Sequence, residues 1–457
     1  MAGLDPAATI LAARLSRADN VATLLQPAPD SAALSVRDMG SGERHEPGIN
    51  VIGDIPSGHK IALCPIKAGE DVVKYGFPIG RASAAIGAGE HVHVHNLKST
   101  ISSPLAPVRQ DRPHRVAADR LRAFVTRCLL AAGAGRAAAD NLADHLVEAH
   151  LRGVETHGLR RLKPYIDRIR AGSVAAAEPI IDISGSLLRV DGCNALGHHV
   201  GVVAADAVAQ VASETGAAVA LVRNSNHFGF AGYYATRIAA HGMLAMVTSN
   251  GQVFLGPDGA RRAILSNDPI SLAAPLGDGS FFEFDMATSV TSRANVVLAA
   301  QRGETLPAGI ALDREGDPTR DAAAALEGVL LAFGGAKGFG LVTAIELLSG
   351  ILTGSAYADQ VASKETDRHA PEGTGHFMLA IDLKRAIGVA SFTDRLDDLI
   401  ARIAALPMKP GMPEPRYPGK RRWVLRADRL KTMIPLSVTE YDGLHALAAD
   451  LDVPFDG

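Results

Sequence analysis

The feature that most constrains this chain is a break in its texture near residues 98–115, "LKSTISSPLAPVRQDRPHR". Serine and proline cluster there, and neither helical nor strand periodicity survives, as expected of a linker. Before the break, short β-like runs alternate with glycine-bearing turns: "HKIALCPI", "AGEDVVKYG" and "IGRASAAIGAGEHVHVHNL". That texture predicts a small all-β module over residues 1–100. After it, Leu121, Phe124, Val125, Cys128 and Leu129 repeat at helical spacing, as do Leu142, Leu146 and Ala149. Farther on, strand-like runs ("AVALVRN", "LAMVTSN", "ISLAAPL", "FFEFD", "HFMLAID") alternate with helical ones such as "VGVVAADAVAQVASETG" and "GFGLVTAIELLSGIL". Residues 116–457 are therefore expected to form an α/β domain, with 101–115 as the linker. A chain of 457 residues is in any case too long for one ordinary core.

Composition narrows the partners. Net charge is −3 with no block of basic residues, which makes nucleic acid a poor candidate. Three scattered cysteines, Cys64, Cys128 and Cys193, include no CxxC pair and suit a reducing compartment. The start, "MAGLDPAATILAARLSRADN", lacks a basic n-region, and Arg14 and Arg17 break its apolar run, so no signal peptide is expected. No apolar stretch reaches membrane-spanning length. The expected location is the cytoplasm.

Four segments of the large domain carry chemistry. In "GVETHGLRRLKPY" a predicted helix places His157 and Arg161 on one face, with Arg160 close by. A proton-transfer group beside fixed cations suits an organic anion; a solvated amphipathic helix gives the same residues. In "RNSNHFGFAGYY", His227 follows a predicted strand and Gly229 opens a helix, a placement that lines a crevice or merely caps a turn. In "FEFDMATS", Asp285 ends a strand, and Thr288 and Ser289 start a helix whose free N–H groups suit phosphate or an ordinary cap. In "GGAKGFG", glycines permit close backbone approach beside Lys337. It is no Walker loop, since Gly338 stands where Ser or Thr should follow the lysine, and no Rossmann G-x-G-x-x-G fingerprint follows a strand.

Taken in order, "THGLRRL", "VDGCNALGHHVG", "SNHFG", "LSNDPIS", "DMATS", "LPAGIALDREGDPTRDAAAALEGVLLAFGGAKGFGL" and "RYPGK" resemble the malate/L-lactate dehydrogenase family, whose fold is not the Rossmann type. The resemblance spans about residues 113–455 and implies an NAD(P)-dependent oxidoreductase of small 2-hydroxy and 2-oxo acids, expected to be a homodimer. It implies that His157 is the proton donor and acceptor. Arg161, with Arg160 beside it, anchors the substrate carboxylate, and Asn226 and His227 line the same pocket. It implies cofactor contacts at Asp285, Met286, Ala287, Thr288 and Ser289, at Lys337 and Gly338, and at Pro418, Gly419 and Lys420. The chain departs from the family where a Gly-Lys pair usually follows "DMATS" and Ala294 and Asn295 stand here. It departs again where an acid usually ends the "PGE" loop and Lys420, Arg421 and Arg422 stand here. Bases there would attract a 2′-phosphate, so NADP is favoured, with NAD the alternative.

In the N-terminal module, "GEHVHVHNL" predicts His91, His93 and His95 on one strand face, opposite Val92 and Val94. His93 and His95 are candidate metal ligands, with a polar face or an anion pocket as alternatives; no metal is assigned. The patterns "DNVATLL", "SGHKIAL", "AGEDVVKYGFPIG" and "GEHVHVHN" resemble the SAF-type (β-clip) small subunit of altronate and galactarate dehydratases and of sulfolactate sulfo-lyase, with His59 and Asn96 further residues of interest. That resemblance implies a separate lyase large subunit as partner, and possible lyase chemistry. Joined to the dehydrogenase, it favours 3-sulfolactate/3-sulfopyruvate over malate, L-lactate or sugar acids. A chain that only binds and recruits a lyase is the reading from another class.

Overall fold

The computed structural model describes residues 10–14, 16, 19–39, 43–74, 77–93, 95–98, 113–362, 369–409 and 412–455. The chain divides into two compact units, one N-terminal and one formed by the large domain. Most of the segment expected to be a linker, and Val94 of the histidine run, lie outside the described residues.

The N-terminal unit is all β, as its short alternating runs predict. Six strands form one sheet in the spatial order 44–45, 34–38, 10–14, 21–24, 60–62, 91–92. Only the pair 10–14 and 34–38 is parallel. A second, three-stranded sheet joins 71–74, 77–82 and 97–98. Ala12, Leu24, Leu34, Val36 and Ile61 fill one core, and Val21, Ala62, Val72, Ile86 and Val92 a second.

In the large unit, seven strands form a sheet in the order 180–184, 187–191, 217–225, 374–382, 243–249, 270–275, 281–286. Only 187–191 and 217–225 run parallel, so this is no doubly wound sheet. Helices Gly197–Thr215 and Ala231–Ala239 share its core through Val208, Ala212, Tyr234 and Ile238. The periodic residues Leu121, Phe124, Leu142 and Leu146 meet Ile166, Leu444 and Leu447 in a helical core beside it. Helix Arg136–Leu151 serves both cores, since its Ala149 packs into the sheet layer. The final helix, Val438–Leu451, carries the capping box expected from Ser437 and Glu440. His114–Val116 pairs antiparallel with Ile434–Leu436, so residues 114 and 115 of the segment expected as linker belong to a strand of the large unit. No described helix is long and apolar enough to cross a membrane.

Candidate active site

The helix expected across His157 is interrupted. Glu155–His157 and Leu159–Arg161 are separate 3-10 turns, and the α-helix begins only at Leu162. Gly158 lies flat on the buried ring of His150, where a Cβ would come within 2.3 Å of Cδ2. His157 and Arg161 therefore do not share a helical face. Arg161 instead folds back, its Nε donating to the Thr156 carbonyl at 3.1 Å, and Thr156 Oγ1 lies 3.1 Å from His157 Nδ1.

His227 arrives from the sheet. The strand Ala217–Ser225 slips register against Thr374–Asp382 between Val222 and Ser225, with Asn224 at φ 51°. The bulge swings Asn226 into a buried place and leaves His227 half-buried. The next helix starts at Ala231, not at Gly229. Gly229 sits at φ 86°, and a Cβ there would lie 2.0 Å from His145 Cε1. Burial, reinforced by the neighbouring charges of His198, His157 and Arg152, pushes His145 well below the usual histidine range. Neutral, it accepts the Phe230 N–H at 3.2 Å. Beneath the turn, buried His376 lies 2.8 Å from both Ser225 Oγ and Ser249 Oγ, and burial lowers its pKa to about 3.

The two histidines meet. Their ring centroids are 5.8 Å apart at 13°. His227 is gripped at both ends, residues to which the sequence reading assigned no role. Tyr165 Oη lies 2.6 Å from Nδ1, and the backbone N–H donates to Glu372 Oε2 at 2.9 Å. Glu372 is ion-paired with Arg168, whose Nη2 donates to Asn226 Oδ1 at 3.0 Å. Tyr165 ends the same segment that carries His157, "GVETHGLRRLKPY". Glu372 lies 145 residues from His227, and no local pattern marks it.

The three expected cofactor segments are neighbours, but not as drawn from sequence. Thr288 and Ser289 do not open a helix, because their backbone is already paired. Thr288 N–H donates to Asn267 O, its carbonyl accepts from Phe333 N, and Ser289 bridges Ala332. The following helix starts at Arg293, capped by Ser292. The helix opening beside this segment is Ala336–Glu346, which carries Lys337 and Gly338 in its first turn. The hydroxyls of Thr288 and Ser289 are buried with no hydrogen-bond partner among the described residues, and polar atoms left so fit a bound polar group. On the other side, Pro418 O accepts the Glu283 N–H at 3.2 Å. Arg422 Nη1 donates to Glu283 and Asp285 at 2.6 and 2.7 Å, so neither that arginine nor the Asp285 carboxylate is idle. Arg152 links Glu283 to Glu148, continuing the ion network into helix Arg136–Leu151.

Between the His157 turn and the segment 416–422, where the helix Lys420–Thr432 opens after Gly419, lies a cavity of about 450 Å³, lined by Arg152, Arg160, Arg416, Arg421 and Arg422 with Glu155. Glu155 is taken by Arg429 at 2.8 Å. Arg160, Arg416 and Arg421 have no carboxylate partner among the described residues, which leaves the cavity cationic. Lys420 is exposed and is not part of its lining.

The histidine strand of the N-terminal unit ends early. It covers only His91–Val92, because Asn96 captures the next backbone groups: His93 N–H donates to Asn96 Oδ1 at 3.0 Å, and Asn96 Nδ2 donates to His91 O at 2.9 Å. The rings still cluster. His59 Nδ1 is 2.8 Å from His91 Nε2, and His93 and His95 lie with centroids 5.3 and 5.5 Å from His91. Burial and these neighbours lower His91 to about 4. Among the described residues no group of three or more potential ligands is arranged to hold a metal ion.

Comparison with known proteins agrees with this architecture. Residues 116–445 match the family Malate/L-lactate dehydrogenase, and residues 11–100 match the Altronate/galactarate dehydratase SAF domain. The second match is to the SAF domain alone and brings no lyase activity with it. Malate dehydrogenase of Pyrococcus horikoshii is 34% identical over 74% of this chain and 96% of its own length. The (2R)-3-sulfolactate dehydrogenase (NADP(+)) of Chromohalobacter salexigens is 35% identical over 68% and 92%. The structure of sulfolactate dehydrogenase from Methanocaldococcus jannaschii superposes with TM-score 0.68 at 29% identity, covering 75% of this chain and 99% of that one. The chain belongs to the malate/L-lactate dehydrogenase family and carries an N-terminal SAF domain of the altronate/galactarate dehydratase type.

Proposed function

We propose that this protein interconverts a small 2-hydroxy acid and its 2-oxo acid, with 3-sulfolactate/3-sulfopyruvate favoured and malate, L-lactate or a sugar acid the alternatives. The observation that carries the reading is the stacked His157–His227 pair next to Thr156, which lines a cavity with Arg160 and Arg416. A bound nicotinamide dinucleotide supplies the hydride acceptor and donor. With Nδ1 on Thr156, His157 takes and returns the hydroxyl proton at Nε2. Arg161 keeps its terminal amino groups for a bidentate hold on the carboxylate. The excess of cations suits an acid with a second anionic group, which favours sulfolactate or malate over lactate. A sulfolactate dehydrogenase among the relatives supports the first of these. On this reading the chain forms a homodimer, and its SAF domain recruits a lyase large subunit without supplying lyase chemistry itself.

The test is oxidation of NADH and NADPH, followed by absorbance, with sulfopyruvate, oxaloacetate, pyruvate and 2-oxo sugar acids. Sulfopyruvate and oxaloacetate are expected to turn over faster than pyruvate. No turnover with any of them, in folded protein that binds neither dinucleotide, overturns the reading.

For the cofactor, NADP is favoured, and the base expected to meet a 2′-phosphate is Arg421. Arg422 is held by Glu283 and Asp285, and Lys420 stands off the cavity. Charge-assisted phosphate contacts are worth about ten- to a hundredfold in affinity. Arg421→Glu is therefore expected to lower the NADPH-to-NADH ratio of kcat/KM by about that factor, and Lys420→Glu by less. A wild-type preference for NADH, or a ratio unmoved by either change, would show that the loop does not read the phosphate.

A further inference from the structure

The helix Leu162–Arg170 places Tyr165 and Arg168 one turn apart, and both reach His227: Tyr165 at the ring, Arg168 through Glu372 and Asn226. Tyr165 is 5% exposed, and its hydroxyl has His227 Nδ1 as its hydrogen-bond partner among the described residues, at 2.6 Å. Burial raises the phenol's pKa, so its proton stays in place. Two arrangements fit that distance. In one the phenol donates to Nδ1. In the other Nδ1–H donates to the phenol oxygen, which strands a buried O–H with no acceptor, a cost that the first arrangement avoids.

We infer that Tyr165 is a positioning residue that fixes His227 as its Nε2–H tautomer, so that His227 offers a hydrogen-bond donor to the substrate oxygen and leaves proton transfer to His157. Among the described residues Tyr165, His157 and His198 neighbour this ring, while Glu372 takes the backbone N–H and pairs with Arg168. Glu372 holds the backbone N–H, and Tyr165 meets the ring itself at Nδ1. The two imidazoles then divide the work. His157 binds and releases the proton at the hydroxyl oxygen; His227 polarises the same oxygen as the carbonyl forms or is reduced. This role rests on the dehydrogenase reading, while the tautomer itself does not.

The experiment uses the full chain labelled with ¹⁵N, with the His227 ring signals assigned by their loss in His227→Gln. Wild type is expected to show Nδ1 without a proton and Nε2 with one. Tyr165→Phe keeps the buried ring but frees Nδ1, so the signals should report a mixture of tautomers. In that variant kcat should fall about tenfold with an altered pH profile, and KM for the dinucleotide should stay unchanged. A protonated Nδ1 in wild type overturns the assignment, as do ring signals and a pH profile that Tyr165→Phe leaves unmoved. An Nε2–H ring in a protein that reduces no 2-oxo acid upholds the tautomer and overturns the enzyme reading; turnover with an Nδ1–H ring does the reverse.

Discussion

Replacing His157 by alanine is expected to lower turnover by about 10²- to 10⁴-fold while leaving dinucleotide binding unchanged, the range that a positioned acid–base group contributes. His157 sits on a short turn with its Nδ1 facing Thr156, and its removal empties no core position. The expected loss is therefore one of chemistry and not of folding. Thermal melting of the variant should match wild type, and fluorescence titration with NADPH should give the same Kd. Turnover within a few-fold of wild type would move the proton to His227, the ring stacked 5.8 Å away. That outcome would also require His227 to accept at Nε2, against the tautomer argued above, so the two experiments constrain each other.

The largest expected change in stability is at Glu148. Its carboxylate is 5% exposed and takes hydrogen bonds from Arg426 at 2.9 and 2.9 Å, from Arg152 at 3.1 Å and from Arg122 at 3.1 Å. Burial opposes its ionisation, but the Arg426 hydrogen bonds and the three guanidinium charges outweigh it and hold the carboxyl below its ordinary range. Glu148→Gln keeps the shape and removes the carboxylate charge at which the three arginines meet, leaving Arg122 its 2.8 Å bond to Asp144 and Arg152 its 3.6 Å link to Glu283. Breaking a buried pair from one side costs about 3–5 kcal/mol. With Arg122 and Arg426 about one-third exposed, the lower end applies. The thermal transition of the large unit should fall by roughly 5–10 °C. The pH dependence follows from the sign. A carboxyl whose folded pKa is depressed adds stability above its ordinary value of 4.5 and loses it as pH falls through the folded value. Wild type should therefore lose stability more steeply than Glu148→Gln below about pH 4.5. Equal melting temperatures at neutral pH would show that the network contributes nothing net.

What could be read along the chain was whatever depends on near neighbours. The spacing of Leu121, Phe124, Val125, Cys128 and Leu129 specifies a helix with one buried face, and the structure buries all of them. Ser437 and Glu440 specify a helix start because both partners of a capping box lie within one turn. The chemistry-bearing segments were legible for a similar reason: each is a short run with its own residue pattern. Tertiary packing decided the rest. The helix expected through His157 breaks at Gly158, whose backbone leaves the helical region at φ −94°, ψ −149° and whose missing Cβ leaves room for the His150 ring, a contact invisible to periodicity. The helix expected at Thr288 gives way to pairing with residues more than forty positions on, at Ala332 and Phe333. Arg422 reads as a free base beside a phosphate loop until the helix Lys420–Thr432 brings it to Glu283 and Asp285 on the strand Phe281–Met286. Above all, His227 acquires its orientation from Tyr165, Arg168 and Glu372, which meet only because the sheet brings the end of one strand beside the start of another. Local sequence determines which elements form, since their free energies are settled within a turn or two; which side chains converge is determined by the packing of distant segments, where buried charges and donors must find partners.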